Sequence, residues 1–184
     1  MANVYTVSSQ GIPFAANKCM LGIFNGTGSG KVIRVYSIVM TNAQTTAVTG
    51  VNTRMYVQRL TTGSGGLPVL IMKHDSSSPT LPPQVYSAFN MDFTATDYFR
   101  RFYWSSDEPV ASDAQNIDEF QTVPSIATIW DSSKSYLITT VEPIVCREGY
   151  GLAVICNNAY TAAAATTPPT GAADFFIEFT AEST

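Results

Sequence analysis

Hydrophobic and polar positions alternate in short runs along the chain, and Gly, Pro, Asn and Ser punctuate them. No stretch keeps a helical period. The period of two predicts strands at Val4–Val7, Cys19–Phe24, Lys31–Met40, Val51–Leu60 and Leu67–Met72. It predicts further strands at Val85–Phe89, Tyr98–Trp104, Ile126–Trp130, Tyr136–Val141, Leu152–Cys156 and Phe175–Phe179. The last is the cleanest, with Phe175, Ile177 and Phe179 inward and Asp174, Phe176 and Glu178 outward. Gly11-Ile-Pro13 is expected to end the first strand. These elements imply an all-β chain: one antiparallel β-sandwich domain over residues 1–184, jelly-roll-like, with about ten strands and long loops.

Two strands depart from clean alternation. In Lys31–Met40, Ile33, Val35 and Val39 share a face with Ser37, while Val32, Tyr36, Ile38 and Met40 share the other with Arg34. Apolar residues on both faces suggest a strand buried twice, by the core and by a partner. In Tyr98–Trp104, Tyr98, Arg100, Phe102 and Trp104 oppose Phe99, Arg101 and Tyr103, so each face receives aromatics and arginine. Aromatics with Arg are what protein interfaces enrich. The candidate interface is therefore Tyr98, Arg100, Arg101, Phe102, Tyr103 and Trp104, together with Arg34 and Tyr36. A plain core strand, or a platform that stacks sugars or bases, are the alternatives.

The loops carry their own signals. Asn25-Gly-Thr-Gly-Ser-Gly-Lys31 joins two apolar runs and reads as the turn of a β-hairpin whose glycines take positive φ. Arg147-Glu-Gly-Tyr-Gly151 reads as a second hairpin turn, centred near Gly149. Residues 105–124 are acidic and form the expected insertion or extended loop. Residues 159–171 form an Ala/Thr/Pro-rich surface loop. Three prolines in His74–Pro83 forbid regular pairing there.

Composition narrows the class. At 45% hydrophobic residues the chain can bury a core, and only 13% of it is charged, which fits an all-β protein with a neutral, hydroxyl-rich surface and equally one that covers much of its surface with partners. A net charge of −4 argues against a nucleic-acid partner. Residues 1–74 hold six Lys or Arg and no acid, which a sandwich would neutralise by interleaving strands from both halves, or present as a docking surface between subunits. The N-terminus lacks the basic and apolar segments of a signal peptide, and no apolar run is long enough for a membrane helix. Synthesis in a cytoplasm follows, with Cys19, Cys146 and Cys156 expected as buried thiols.

Candidate chemistry is sparse. A phosphate-binding loop needs Gly-x-x-x-x-Gly-Lys-Ser/Thr opening a helix. Here Asn25 stands five before Gly30, Val32 follows Lys31, and a strand comes next. His74 is the single histidine, and the cysteines lack metal-ligand spacing, so neither a zinc site nor a His-dependent nucleophile is expected. The pairs Asp107/Glu108 and Asp118/Glu119 lie in the acidic loop, away from any rigid cleft a glycosidase would need. The expectation is a protein that is not an enzyme and has no catalytic residues, no cofactor and no metal.

Several segments taken together are familiar. Leu21–Tyr36, Pro68–Pro82, Glu142–Val154 and Phe175–Thr180 resemble, in the same order, segments of β-sandwich virion proteins of tailed bacteriophages, of the capsid decoration or head-surface type. The resemblance covers under half the chain. It implies a structural subunit of a virus particle, commonly a homotrimer, that contacts the major capsid protein or other virion proteins. A fibre or receptor-binding domain that takes a host glycan is the alternative. No membrane or nucleic-acid partner is implied.

Overall fold

The computed structural model describes residues 3–42, 51–106, 126–132, 142–156 and 172–184. These residues form two six-stranded antiparallel sheets and no helix. The first sheet holds β1 (Val4–Pro13), β3 (Lys31–Asn42), β6 (Ile71–Lys73), β9 (Ile126–Asp131), β10 (Ile144–Cys146) and β12 (Ala172–Ser183). The second holds β2 (Lys18–Asn25), β4 (Val51–Ser64), β5 (Leu67–Pro68), β7 (Val85–Phe89), β8 (Asp92–Ser106) and β11 (Tyr150–Cys156). Strand order is β10-β3-β12-β1-β6 in the first, with β9 also on β3, and β5-β7-β2-β11-β4-β8 in the second.

One apolar core joins the sheets. Tyr5, Ile33, Phe175, Ile177 and Phe179 from the first sheet pack with Met20, Leu21, Ile23, Met55, Leu152 and Val154 from the second. Tyr5 and Phe179 stack with ring centres 5.5 Å apart. The β-sandwich expected from the period of two is therefore the observed architecture, and β12 places Phe175, Ile177 and Phe179 inward as its alternation predicts.

Several local expectations are corrected. The first strand does not stop at Gly11: it continues to Pro13 through a bulge between Ser9 and Ile12, where Gly11 takes φ +59° and its amide meets the Asp174 carboxylate at 2.6 Å. The segment after Asn25 is not a hairpin turn, because β2 lies in one sheet and β3 in the other. Residues 26–30 thus arch across the sandwich. The turn after Cys146 does the same, since β10 pairs with β3 while β11 pairs with β2 and β4. Leu67–Met72 is likewise not one strand; β5 and β6 lie on opposite sheets. The expected strand at 136–141, nearly all of the 105–124 loop and the 159–171 loop lie outside the described residues. Ser105 and Ser106 belong to β8.

The mixed faces of β3 have a local cause. Its pairing with β12 shifts between Val35↔Phe179 and Ser37↔Glu178, leaving Tyr36 as an extra residue. Parity therefore changes along the strand, and Ile33 and Val35 point inward before the bulge, Ile38 and Met40 after it. No partner is needed to explain the pattern. The strand covered on both faces is β11. Leu152 and Val154 enter the main core, while Ala153 and Ile155 face a second cluster with Cys19, Leu60, Ala88 and Met91. The β4–β8 ribbon, with three register shifts between Val57 and Thr62, supplies Leu60, Phe93 and Ala95 to that outer cover.

Candidate functional site

The glycine arch is held together by polar side chains. Asn25, fully buried, donates through its side-chain amide to the carbonyls of Lys31 (2.8 Å) and Cys146 (3.1 Å), and accepts from the Ser29 hydroxyl (2.6 Å). Its own carbonyl accepts from the Gly149 amide at 2.7 Å. The Glu148 carboxylate returns the contact, accepting from the Gly28 amide at 3.1 Å and the Gly30 amide at 2.6 Å. Gly28 and Gly30 have φ of +82° and +61°, and a Cβ at either would touch nothing within 4 Å. Glycine is required there for backbone conformation, not for space. The amides that a phosphate would need are thus occupied by the chain's own carboxylate, and the two arches are tied to each other.

The aromatic–arginine strand sits at the edge of its sheet, β8 pairing with β4 alone among the described strands. A register shift between Val57↔Arg100 and Gln58↔Tyr98 breaks the alternation expected of it. Tyr98 turns to Tyr56 (5.5 Å between rings), whereas Phe99 meets Trp130 edge-on (6.5 Å) and the Arg100 guanidinium donates to the Ile129 carbonyl at 2.6 Å. Phe99 and Arg100 therefore both reach β9 of the facing sheet. Arg101, Phe102, Tyr103 and Trp104 pair through their backbones with Tyr56, Met55, Arg54 and Thr53. Arg34 and Tyr36 lie on β3 in the other sheet, where Arg34 forms a half-exposed ion pair with Glu182 at 3.2 Å. The eight residues thus do not share one sheet. The Arg34–Glu182 pair joins the basic early half to the acidic late half, as neutralisation within the domain requires.

Arg59 is a residue that the alternation of β4 does not single out. Paired with Leu152, it lies under Phe99 with its guanidinium carbon 4.8 Å from that ring, and donates to the Val145 carbonyl of the facing sheet at 3.0 Å. It ties the two sheets together on the β8 side.

The opposite side of the sandwich differs. Leu67, Leu70 and Met72 are exposed there, Leu70 by 74%. A groove of about 560 Å³ runs beside them, lined by Tyr5, Leu70, Leu81, Pro82, Pro83 and Tyr86 among others. The Tyr5 hydroxyl donates to the Pro79 carbonyl, while the Tyr86 hydroxyl, buried, meets no hydrogen-bond partner among the described residues. Burial raises the pKa of both phenols. The sequence signal for this side is the apolar run Leu67–Met72, which the period of two reads as a strand.

Remaining candidates are accounted for locally. His74 hydrogen-bonds the Thr6 hydroxyl through Nε2 and stands 3.9 Å from the Glu178 carboxylate through Nδ1. Asp75 accepts from the Ser77 amide and hydroxyl, which hold its carboxyl below the usual range. Cys19, Cys146 and Cys156 are buried thiols outside any disulfide, and burial pushes Cys19 and Cys146 up to about 12. Cys146 and Cys156 lie in different sheets. Among the described residues no group of three or more His, Cys, Asp or Glu is placed to hold a metal ion, and no helix is long and apolar enough to cross a membrane. No protein-family model, no curated protein and no solved structure matches the chain.

Proposed function

We propose that the chain is a structural virion protein: a jelly-roll-like bacteriophage capsid decoration subunit that acts as a homotrimer and contains no catalytic site. The observation that carries this reading is how the fold spends its polar groups. The loop amides that invite a nucleotide are satisfied by Glu148, and the thiols are buried, while the three most exposed large apolar side chains among the described residues are Leu67, Leu70 and Met72. The ordered resemblance of four segments to phage head-surface proteins supplies the class of particle. In this role the protein is made in the host cytoplasm and buries apolar surface between copies and against the major capsid protein, adding contacts that hold the shell.

A second reading draws on the groove. Tyr5, Leu70, Leu81 and the prolines beside them form an apolar wall, a composition that suits a sugar face in a fibre or receptor-binding domain. Imaging of particles that carry the labelled protein separates the two. Label on the head surface, with an empty glycan array, supports decoration. Label at a tail fibre, with glycan hits lost in Leu70→Asp, supports the alternative.

A further inference from the structure

We propose that the glycine arch is a carboxylate-binding site, filled in the native protein by the chain's own Glu148. The two carboxylate oxygens are divided between two backbone amides, Oε2 on Gly28 and Oε1 on Gly30, which is how a receptor takes an anion. The left-handed backbone at both glycines aims the two amides at one carboxylate. The receptor is also built independently of its ligand. Asn25 and Ser29 brace the arch through Lys31 and Cys146, and the Gly30 carbonyl accepts from the Thr184 amide, so neither contact uses Glu148. Removing the Glu148 side chain therefore vacates the site without dismantling it. A free monocarboxylate of the size of formate has the atoms to replace it.

Glu148 competes from within the same chain, and tethering of this kind gives an effective concentration of about millimolar or more. Formate at lower concentration leaves the wild-type site unchanged. Occupancy has a structural consequence, since Glu148 belongs to the turn between β10 and β11 and its contact with the arch couples the two crossings between sheets.

The test follows the Gly28 and Gly30 amides by NMR hydrogen exchange in the full chain, with sodium formate as probe and sodium chloride at equal ionic strength as control. In the wild type both amides are protected, although the glycines themselves are exposed. In Glu148→Ala their protection falls by about ten- to a hundredfold, the range for charge-assisted hydrogen bonds. Formate restores it saturably and chloride does not. Unprotected Gly28 and Gly30 amides in the wild type overturn the proposal. So does a Glu148→Ala protein whose amides ignore formate. If Glu148→Ala fails to fold, Glu148→Gln carries the test. Its single side-chain oxygen accepts from one amide, so protection is kept at one glycine and lost at the other; equal protection at both contradicts the assignment.

Discussion

Strands β3 and β11 look alike in sequence and are built differently. Both are nearly continuous apolar runs, Val32-Ile-Arg-Val-Tyr-Ser-Ile-Val-Met40 and Leu152-Ala-Val-Ile-Cys156. In β11 both faces are covered, by the main core and by the β4–β8 ribbon. In β3 one face is covered at a time, and a bulge at Tyr36 decides which parity is inward. Apolarity on two faces is thus not by itself a sign of a partner. It records either a second layer or a change of register, and only pairing distinguishes them.

Deletions separate the two cases most sharply. Removing Ala153 shifts the residues after it to the opposite face in a strand that pairs in unbroken register with β4, and the expected outcome is loss of the cooperative unfolding transition. A folded deletion protein would show that β11 is not covered on both sides. Ile155→Ala leaves a cavity under the ribbon and is expected to cost about 2–5 kcal/mol by chemical denaturation. Removing Tyr36 deletes the extra residue and restores a regular strand in which Ile38 and Met40 keep their partners. Its cost is expected to stay below about 2 kcal/mol, within the range of single substitutions. A protein that cannot fold without Tyr36 would refute the bulge as the cause of the mixed faces.

The thiols report on the covers themselves. Cys19 sits in the outer cluster beneath the ribbon and Cys146 in the main core, and burial pushes both up to about 12. An acid whose folded pKa is raised contributes stability in full below its unfolded value, about 8.5 for a thiol, and loses it as the pH climbs toward the folded value. Stability should therefore fall as the pH rises above about 8.5, by about 1.4 kcal/mol per thiol one unit higher. Cys19→Ala and Cys146→Ala should each remove part of that slope. If only Cys146→Ala does so, the ribbon is a weaker cover than the core. The smallest effect is expected at Val39, half-buried on the outer face of β3 opposite Phe176: Val39→Thr should change stability by no more than about 0.5 kcal/mol.

How much the sequence discloses follows from the range of the interactions involved. Val85–Phe89, Ile126–Trp130 and the inward face of Phe175–Phe179 were legible because a period of two is local. The two arches were not. Gly28 and Gly30 announce a turn, but its destination depends on Asn25 meeting Cys146, and Glu148 meeting Gly28 and Gly30, across more than a hundred residues. The candidate strand Tyr98–Trp104 was found as a strand, while the bulge that sends Phe99 and Arg100 to the facing sheet depends on its pairing with β4. Arg59 was hidden for the same reason. The exposed run Leu67–Met72 was read as a strand because its crossing between sheets has no local mark beyond Pro68.

The central functional claim is that the protein builds rather than reacts, and one reconstitution tests it most directly. Purified protein is added to virus particles assembled without it, and the particles are imaged and their resistance to disruption measured. The proposed role requires trimers at regular positions on the head and shells that withstand harsher conditions. A protein that stays monomeric and leaves the particles bare would contradict it.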